Sequence, residues 1–239
     1  MNEQYNDEVS KHYAAYRPPI HQMILKSLLG NKPRFKFGLD IGCGTGVSTL
    51  ELSPYCTEVL GVEPSEAMLN QAQTIANARY LVGDGENIPL SDNTADVITF
   101  AGSLYYAKSA ALVKELQRVG ADKALVIAYD FEVQLAKFMQ HLGIEIASSS
   151  SGYDHAINFS DCEPLQELAC EQGCIELELD SQQLAHVLFS SSTRYQKLLE
   201  KFGADGVFDL VVEQLNEWSS QHRVEVLTYQ SSYCLSSQL

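Results

Sequence analysis

Short apolar runs along this chain alternate between a two-residue and a 3.6-residue period. The first helical stripe is Ile20, Met23, Ile24 and Leu28, closed by Gly30, and it predicts a helix over 19–30. Phe35, Phe37 and Leu39 then lead into a glycine-rich turn, and Val47, Leu50 and Leu52 follow at helical spacing. Carried forward, the pattern predicts strand 35–41, helix 46–53, strand 57–62, helix 65–77, strands 79–83 and 95–101, helix 108–119 and strand 124–130, with a turn at Asp92-Asn93. Beyond this the order loosens. A helix is expected over 132–143, a loop at the serine run 148–152, and a helix over 161–173 on Leu165, Leu168 and Ala169. Cys174 to Leu179 alternates as a strand, helices follow at 181–201 and 205–219, and a strand closes the chain at 223–234. Residues 1–17 read as a polar arm that becomes helical. Strands alternating with helices predict an α/β fold: a parallel sheet covered on both faces, with right-handed crossovers.

Four successive strand ends carry glycine or polar residues, and open α/β sheets bind ligands at such ends. The first is Gly38-Leu39-Asp40-Ile41-Gly42-Cys43-Gly44-Thr45-Gly46. Glycine admits positive φ and lets a ligand touch backbone, and a following helix start offers free N–H groups. A dinucleotide turn reads G-x-G-x-x-G and seats a pyrophosphate. Here the turn is G-x-G-x-G behind Asp40, an acid that repels phosphate and attracts an ammonium group. The second strand ends in Glu63, a carboxylate suited to two ribose hydroxyls. The third leads to Gly83-Asp84-Gly85-Glu86, where a carboxylate can accept from an adenine amino group, and the fourth ends at Ala101-Gly102-Ser103.

This order resembles the class I S-adenosylmethionine-dependent methyltransferases. The resemblance implies that the turn with Asp40, Gly42, Gly44 and Gly46 approaches the methionine part of S-adenosylmethionine. It makes Glu63 the ribose acid, gives the adenine to Asp84 with the backbone of Gly85 and Glu86, and sets the Ala101 carbonyl against the methionine ammonium. It covers residues 35–130. More loosely, Tyr13-Ala14-Ala15-Tyr16-Arg17-Pro18-Pro19 and the segment 188–195 resemble the small-molecule group akin to trans-aconitate methyltransferase, in which the N-terminal arm lies over the cofactor. This chain lacks a tryptophan over 189–193 and carries Tyr105-Tyr106 where many relatives have His-Trp, so it departs from the group where the acceptor would sit. The implied fold is Rossmann-like and doubly wound, a mostly parallel seven-stranded sheet with an antiparallel last strand and a helical lid. It is expected as a single domain over 1–239, with an arm and helix at 1–30, a cofactor core at 35–130, lid and acceptor elements at 135–220 and the last strand at 223–236.

Composition narrows the partners. The chain has 239 residues, with 31 acidic against 16 basic side chains and a formal charge of −15. That field disfavours nucleic acid and anionic membrane, since affinity for phosphates comes largely from Lys and Arg. No apolar run approaches the 18 residues of a membrane span, and the polar, acidic start is unlike a signal peptide, so a cytoplasmic location is expected. The six cysteines fit no disulfide framework, and no metal site is expected from their spacing.

On the acceptor side, Tyr105 and Tyr106 are the candidate catalytic residues, as acceptor contacts or as cation–π partners of a sulfonium, against the alternative that they only pack. Tyr16 and Arg17 are candidate cofactor caps, Arg194 either meets an anionic acceptor or forms a surface ion pair, and Asp130 either faces the cleft or caps a loop. Of six histidines, His12 and His141 lie on the expected lid and are weighed as general bases against surface or packing roles. The expected function is methyl transfer to a small molecule, the acceptor atom and the oligomeric state being left open. The alternatives are a non-catalytic S-adenosylmethionine-binding module or partner subunit, and a nicotinamide oxidoreductase, which the turn spacing and Asp40 disfavour.

Overall fold

The computed structural model describes residues 8–9, 11–13, 15–145 and 152–236. Its seven strands are β1 (Phe35–Ile41), β2 (Cys56–Glu63), β3 (Ala78–Val82), β4 (Ala95–Ala101), β5 (Gly120–Val133), β6 (Leu165–Asp180) and β7 (Gln221–Leu235). They lie in the order β3-β2-β1-β4-β5-β7-β6. The first five pair in parallel and the last strands are antiparallel. The strand order reverses between β1 and β4, the switch point at which open α/β sheets form a ligand crevice beyond the carboxyl ends of the strands. Register puts Asp40 between Gly61 on β2 and Thr99 on β4.

The chain divides into two compact units. The sheet unit comprises Pro19–Phe131, Gly152–Gly173 and Thr228–Leu239. Its core joins Leu39, Ile41, Leu60 and Val62 to Ile98 and Phe100 on β4, Leu112 and Leu116 on a covering helix, and Phe159 and Tyr233. A leucine or phenylalanine taken fully out of water contributes roughly 1.5–3 kcal/mol, so these positions carry the sheet. Around it lie α1 (Ile20–Leu29), α2 (Val47–Leu52), α3 (Glu66–Leu69), α4 (Leu104–Ala107) and α5 (Ala110–Val119). Helix α1 buries Ile20, Ile24, Leu25 and Leu29. Helix α5 starts where the Ser109 hydroxyl accepts from the Leu112 amide at 3.0 Å, and it buries Leu112, Leu116 and Val119.

The helical unit comprises Met1–Pro18, Glu132–Ser151 and Cys174–Leu227. It holds α6 (Ala136–His141), α7 (Ser181–Phe189), α8 (Ser192–Phe202) and α9 (Val207–Trp218). Helix α7 opens on a capping box between Asp180 and Gln183. In the arm, Glu8, Val9, Lys11 to Tyr13, and Ala15 are helical. Among the described residues no helix is long and apolar enough to cross a membrane.

Three expected elements differ. The helix expected over 65–77 is a single turn, α3, none of whose residues is buried. With no face to bury, a helix gains little beyond its nucleus. The helix expected over 161–173 is instead the first half of β6, and Leu168 stays 55% exposed. Its i, i+3, i+4 apolar spacing is coincidental, and pairing with β7 outweighs local propensity. The helix expected over 181–201 breaks into α7 and α8 at the serine run 190–192, where the Ser190 hydroxyl donates to the Val187 carbonyl at 2.8 Å. The loop expected at 148–152 lies, except for Gly152, outside the described residues.

Candidate functional site

The glycine turn leaves β1 into the crevice beside β4. Gly42, Gly44 and Gly46 have φ of 71°, 56° and 81°. Side chains rarely adopt that left-handed region, but the three positions differ in what a Cβ would meet. At Gly42 it would lie 2.4 Å from Ser103 Cβ, and at Gly46 2.8 Å from the Tyr80 ring. At Gly44 the nearest atom is Met68 Sδ at 3.9 Å. Two of the glycines are therefore demanded by the protein's own packing, while at the third a Cβ would meet Met68 Sδ only at ordinary contact distance.

Asp40 lies behind the turn with no exposed surface. Its Oδ2 accepts from Ser48 Oγ at 2.6 Å and Thr49 Oγ1 at 2.7 Å, and its Oδ1 from Thr99 Oγ1 at 2.9 Å. Burial pushes its carboxyl above the usual range, and the three hydroxyls oppose that shift. The residue fastens β1, α2 and β4 together. Cys43 in the same turn is an inert thiol, pushed up to about 12 first by burial.

Glu63, at the end of β2, accepts the Gly44 amide on Oε2 and the Ser65 amide on Oε1, both at 3.0 Å. The acid of the second strand thus holds the turn of the first. The Gly83 amide donates to the Glu63 carbonyl at 3.1 Å, which ties the neighbouring strand end in. There Asp84 Oδ1 accepts from the amides of Glu86 and Asn87 at 2.9 Å each. Glu86 Oε1 accepts from Ser109 Oγ at 2.8 Å, and Gly85 has no room for a side chain because Leu112 Cδ1 would lie 2.9 Å away. Ala101 ends β4 opposite Tyr129, and the next residue, Gly102, turns left-handed.

Tyr105 and Tyr106, on α4, are 38% and 78% exposed. They cluster with Tyr153, the ring centroids lying 4.5 Å and 5.7 Å away, and Tyr105 Oη donates to the Gly152 carbonyl at 3.1 Å. The Tyr153 hydroxyl sits 2.8 Å from Asp130 Oδ2 and 2.9 Å from the Gly102 carbonyl, and burial, then Asp130, raises its pKa. His155 Nδ1 lies 2.9 Å from the same Asp130 oxygen, while Asp130 Oδ1 accepts the Phe131 amide at 2.7 Å. Asp130 therefore both caps its own backbone and gathers two ionisable side chains at the end of β5. A pocket of about 90 Å³ opens here, lined in part by Gly102, Tyr105, Asp130, Tyr153, His155 and Tyr229. Tyr153 and His155 escape a sequence reading because they follow the serine run in a stretch with no period. The only signal there is three titratable residues in a row, 153–155.

Other candidates fall in the helical unit. Arg17 lies over the Tyr13 ring, 3.7 Å from its centroid, and donates to the Tyr13 carbonyl at 3.2 Å. Burial, with Asp180 second, raises the Tyr16 pKa. His12 Nδ1 is 3.0 Å from His186 Nδ1, and the His12 ring stacks on Phe208 at 5.0 Å. His141 stacks on Trp218 at 4.2 Å. Arg194 forms no ion pair among the described residues. It donates to the carbonyls of Val187 and Leu188 at 3.0 and 3.1 Å and so caps the end of α7, with burial lowering its pKa to about 10.

Residues 39–128 match a family model described as a methyltransferase domain. A methyltransferase of Dictyostelium discoideum is 25% identical over 124 residues, 52% of this chain and 47% of its own. A Saccharomyces cerevisiae protein named as an S-adenosylmethionine-dependent methyltransferase is 28% identical over 119 residues, 46% of this chain and 41% of its own. The matched stretch thus spans under half the length of both curated relatives. Among solved structures, a protein of Anaeromyxobacter dehalogenans described as a type II methyltransferase superposes with a TM-score of 0.69 at 20% identity, covering 93% of this chain and 98% of that one. Residues 39–128 are thus similar to methyltransferase domains, and the name of the Saccharomyces cerevisiae relative gives S-adenosylmethionine as its methyl donor. The residues present suit S-adenosylmethionine, since the left-handed Gly44 has no close neighbour where its Cβ would be and carboxylates stand at the two following strand ends. The fold is that of the Rossmann-like methyltransferases, and residues 39–128 carry their methyltransferase-domain sequence pattern.

Proposed function

We propose that this chain transfers a methyl group from S-adenosylmethionine to a small-molecule acceptor, in the manner of the group akin to trans-aconitate methyltransferase. The carrying observation is the glycine turn at the strand-order reversal between β1 and β4, where left-handed Gly44 has room for a Cβ and its amide is held by Glu63. When bound, the cofactor supplies a methyl already activated on a sulfonium. The protein's work is then to hold and to orient. Each carboxylate oxygen of Glu63 accepts one amide and keeps a lone pair for a ribose hydroxyl. Asp84 has Oδ1 committed to two amides, which aims Oδ2 at an adenine amino group. Ala101 offers its carbonyl to the methionine ammonium, and Tyr105 and Tyr106 stand on the acceptor side. By the same sequence resemblance, Tyr16, Arg17 and the lid segments 1–30 and 135–220 cover the cofactor, and the chain works as one domain. A charge of −15 supports a small acceptor over nucleic acid.

Calorimetric titration with S-adenosylmethionine tests the reading. Glu63→Ala and Asp84→Ala should each weaken binding by about 1.5–3 kcal/mol, the worth of a hydrogen bond to a charged group, while the proteins stay folded. Unchanged affinity in both would refute the cofactor assignment. Screening small acids, quinols and amines for S-adenosylhomocysteine release then identifies the acceptor.

A further inference from the structure

The pocket at the end of β5 carries more chemistry than positioning requires. Its charged side chains are Asp130 and Glu171, and no Lys or Arg lines it. A carboxylate acceptor would enter against like charge with no cation to meet it. Its walls are tyrosines, with Tyr105, Tyr153 and Tyr229 among them. His155 is held between two of these rings, stacked on Tyr229 at 5.5 Å and 15° and edge-on to Tyr153 at 4.7 Å. A carboxylate can only accept, so the 2.9 Å contact with Asp130 Oδ2 puts the proton of a neutral His155 on Nδ1. Nε2 is left with its lone pair. A carboxylate behind an imidazole that lines a pocket is the arrangement of a general base held in one tautomer.

Resting on the methyl-transfer reading, we propose that the acceptor is an uncharged phenol and that His155 is its general base, with Asp130 as the positioning residue. His155 Nε2 takes the hydroxyl proton. The phenol oxygen forms the new O–CH₃ bond as the S–CH₃ bond breaks, and the electron pair of that bond stays on sulfur. The products are a methyl ether, S-adenosylhomocysteine and a protonated His155, which returns its proton to water. Protonated His155 is stabilised by Asp130, and the other ionisable groups facing or adjoining it are Tyr153, Tyr229, Tyr105, Glu171 and Asp154.

The test uses the full chain with S-adenosylhomocysteine bound and 4-nitrophenol as probe, because its phenolate has an absorption band of its own. At a pH below the probe's own pKa, binding to the wild type should raise that band. His155→Gln should lower affinity for 4-nitrophenol about tenfold, the worth of one hydrogen bond of about 1.4 kcal/mol, and abolish the rise. The same variant should bind 4-nitroanisole, which has no proton to give, as the wild type does. Asp130→Asn, which no longer fixes the His155 tautomer, should weaken the phenolate band while 4-nitroanisole binding stays unchanged, a split that loss of packing alone would not give. If S-adenosylhomocysteine does not bind the wild type, the methyl-transfer reading itself fails. If it binds but 4-nitrobenzoate outcompetes the phenol, or His155→Gln keeps the phenolate band, the base assignment is overturned while methyl transfer stands.

Discussion

At the scale of the residue, the three glycines of one turn answer to different masters. Gly42 has Ser103 against it and Gly46 has Tyr80, so their conformations belong to folding. Among the described residues a Cβ on Gly44 would meet Met68 Sδ at 3.9 Å and nothing nearer, so packing alone does not demand glycine there, and the proposed cofactor contact would. Gly44→Val should therefore cost some stability through its φ of 56°, roughly 1–2 kcal/mol, yet leave a folded protein that no longer gains thermal stability from added S-adenosylhomocysteine. Wild type should gain it as ligand linkage requires. An equal gain in both proteins would remove the turn from the site. The juxtaposition of Gly44, Glu63 and Asp84 was legible in the sequence because each stands at a strand end, where chain order alone brings them together. Asp40 was legible as important but not as buried, because its three hydroxyl partners, Ser48, Thr49 and Thr99, come from two other elements.

Among elements, the arm has a defined partner in its own unit. His12 meets His186 on α7 and stacks on Phe208 of α9. Burial is the first cause that lowers the pKa of both histidines, so the folded arm holds them neutral. The unfolded chain, with histidines near 6.5, then takes up protons first. Stability should fall as the pH drops below about 6.5 and level off once the folded imidazoles are protonated. Urea denaturation at neutral and mildly acid pH checks this, and the double variant His12→Gln with His186→Gln should lose less stability on acidification than wild type. A wild type that is equally stable across the range would sink it. The arm was legible only as polar and partly helical, since its partners lie far along the chain. Elements fail to show in sequence for the same reason. Leu165, Leu168 and Ala169 spell a helix locally, and only β7, arriving more than fifty residues later, makes the segment a strand. Helix α3 stops after one turn, none of whose residues is buried.

For the whole molecule, charge decides which partners can approach. With 31 acids against 16 bases, the net charge of −15 opposes the phosphates that nucleic-acid binding must attract. Duplex DNA and transfer RNA should show no mobility shift with this protein even at about 50 mM salt, where such binding is strongest. A salt-sensitive shift would replace the small-molecule acceptor with a nucleic acid. The division of labour within the glycine turn also has an evolutionary reading. A descendant that lost its chemistry but kept its fold would still be compelled to keep Gly42 and Gly46, and only the middle glycine would be released to drift toward Asn or Asp, which tolerate left-handed backbone. A turn of this kind found with its outer glycines intact and its middle one replaced would be the fossil of an abandoned enzyme.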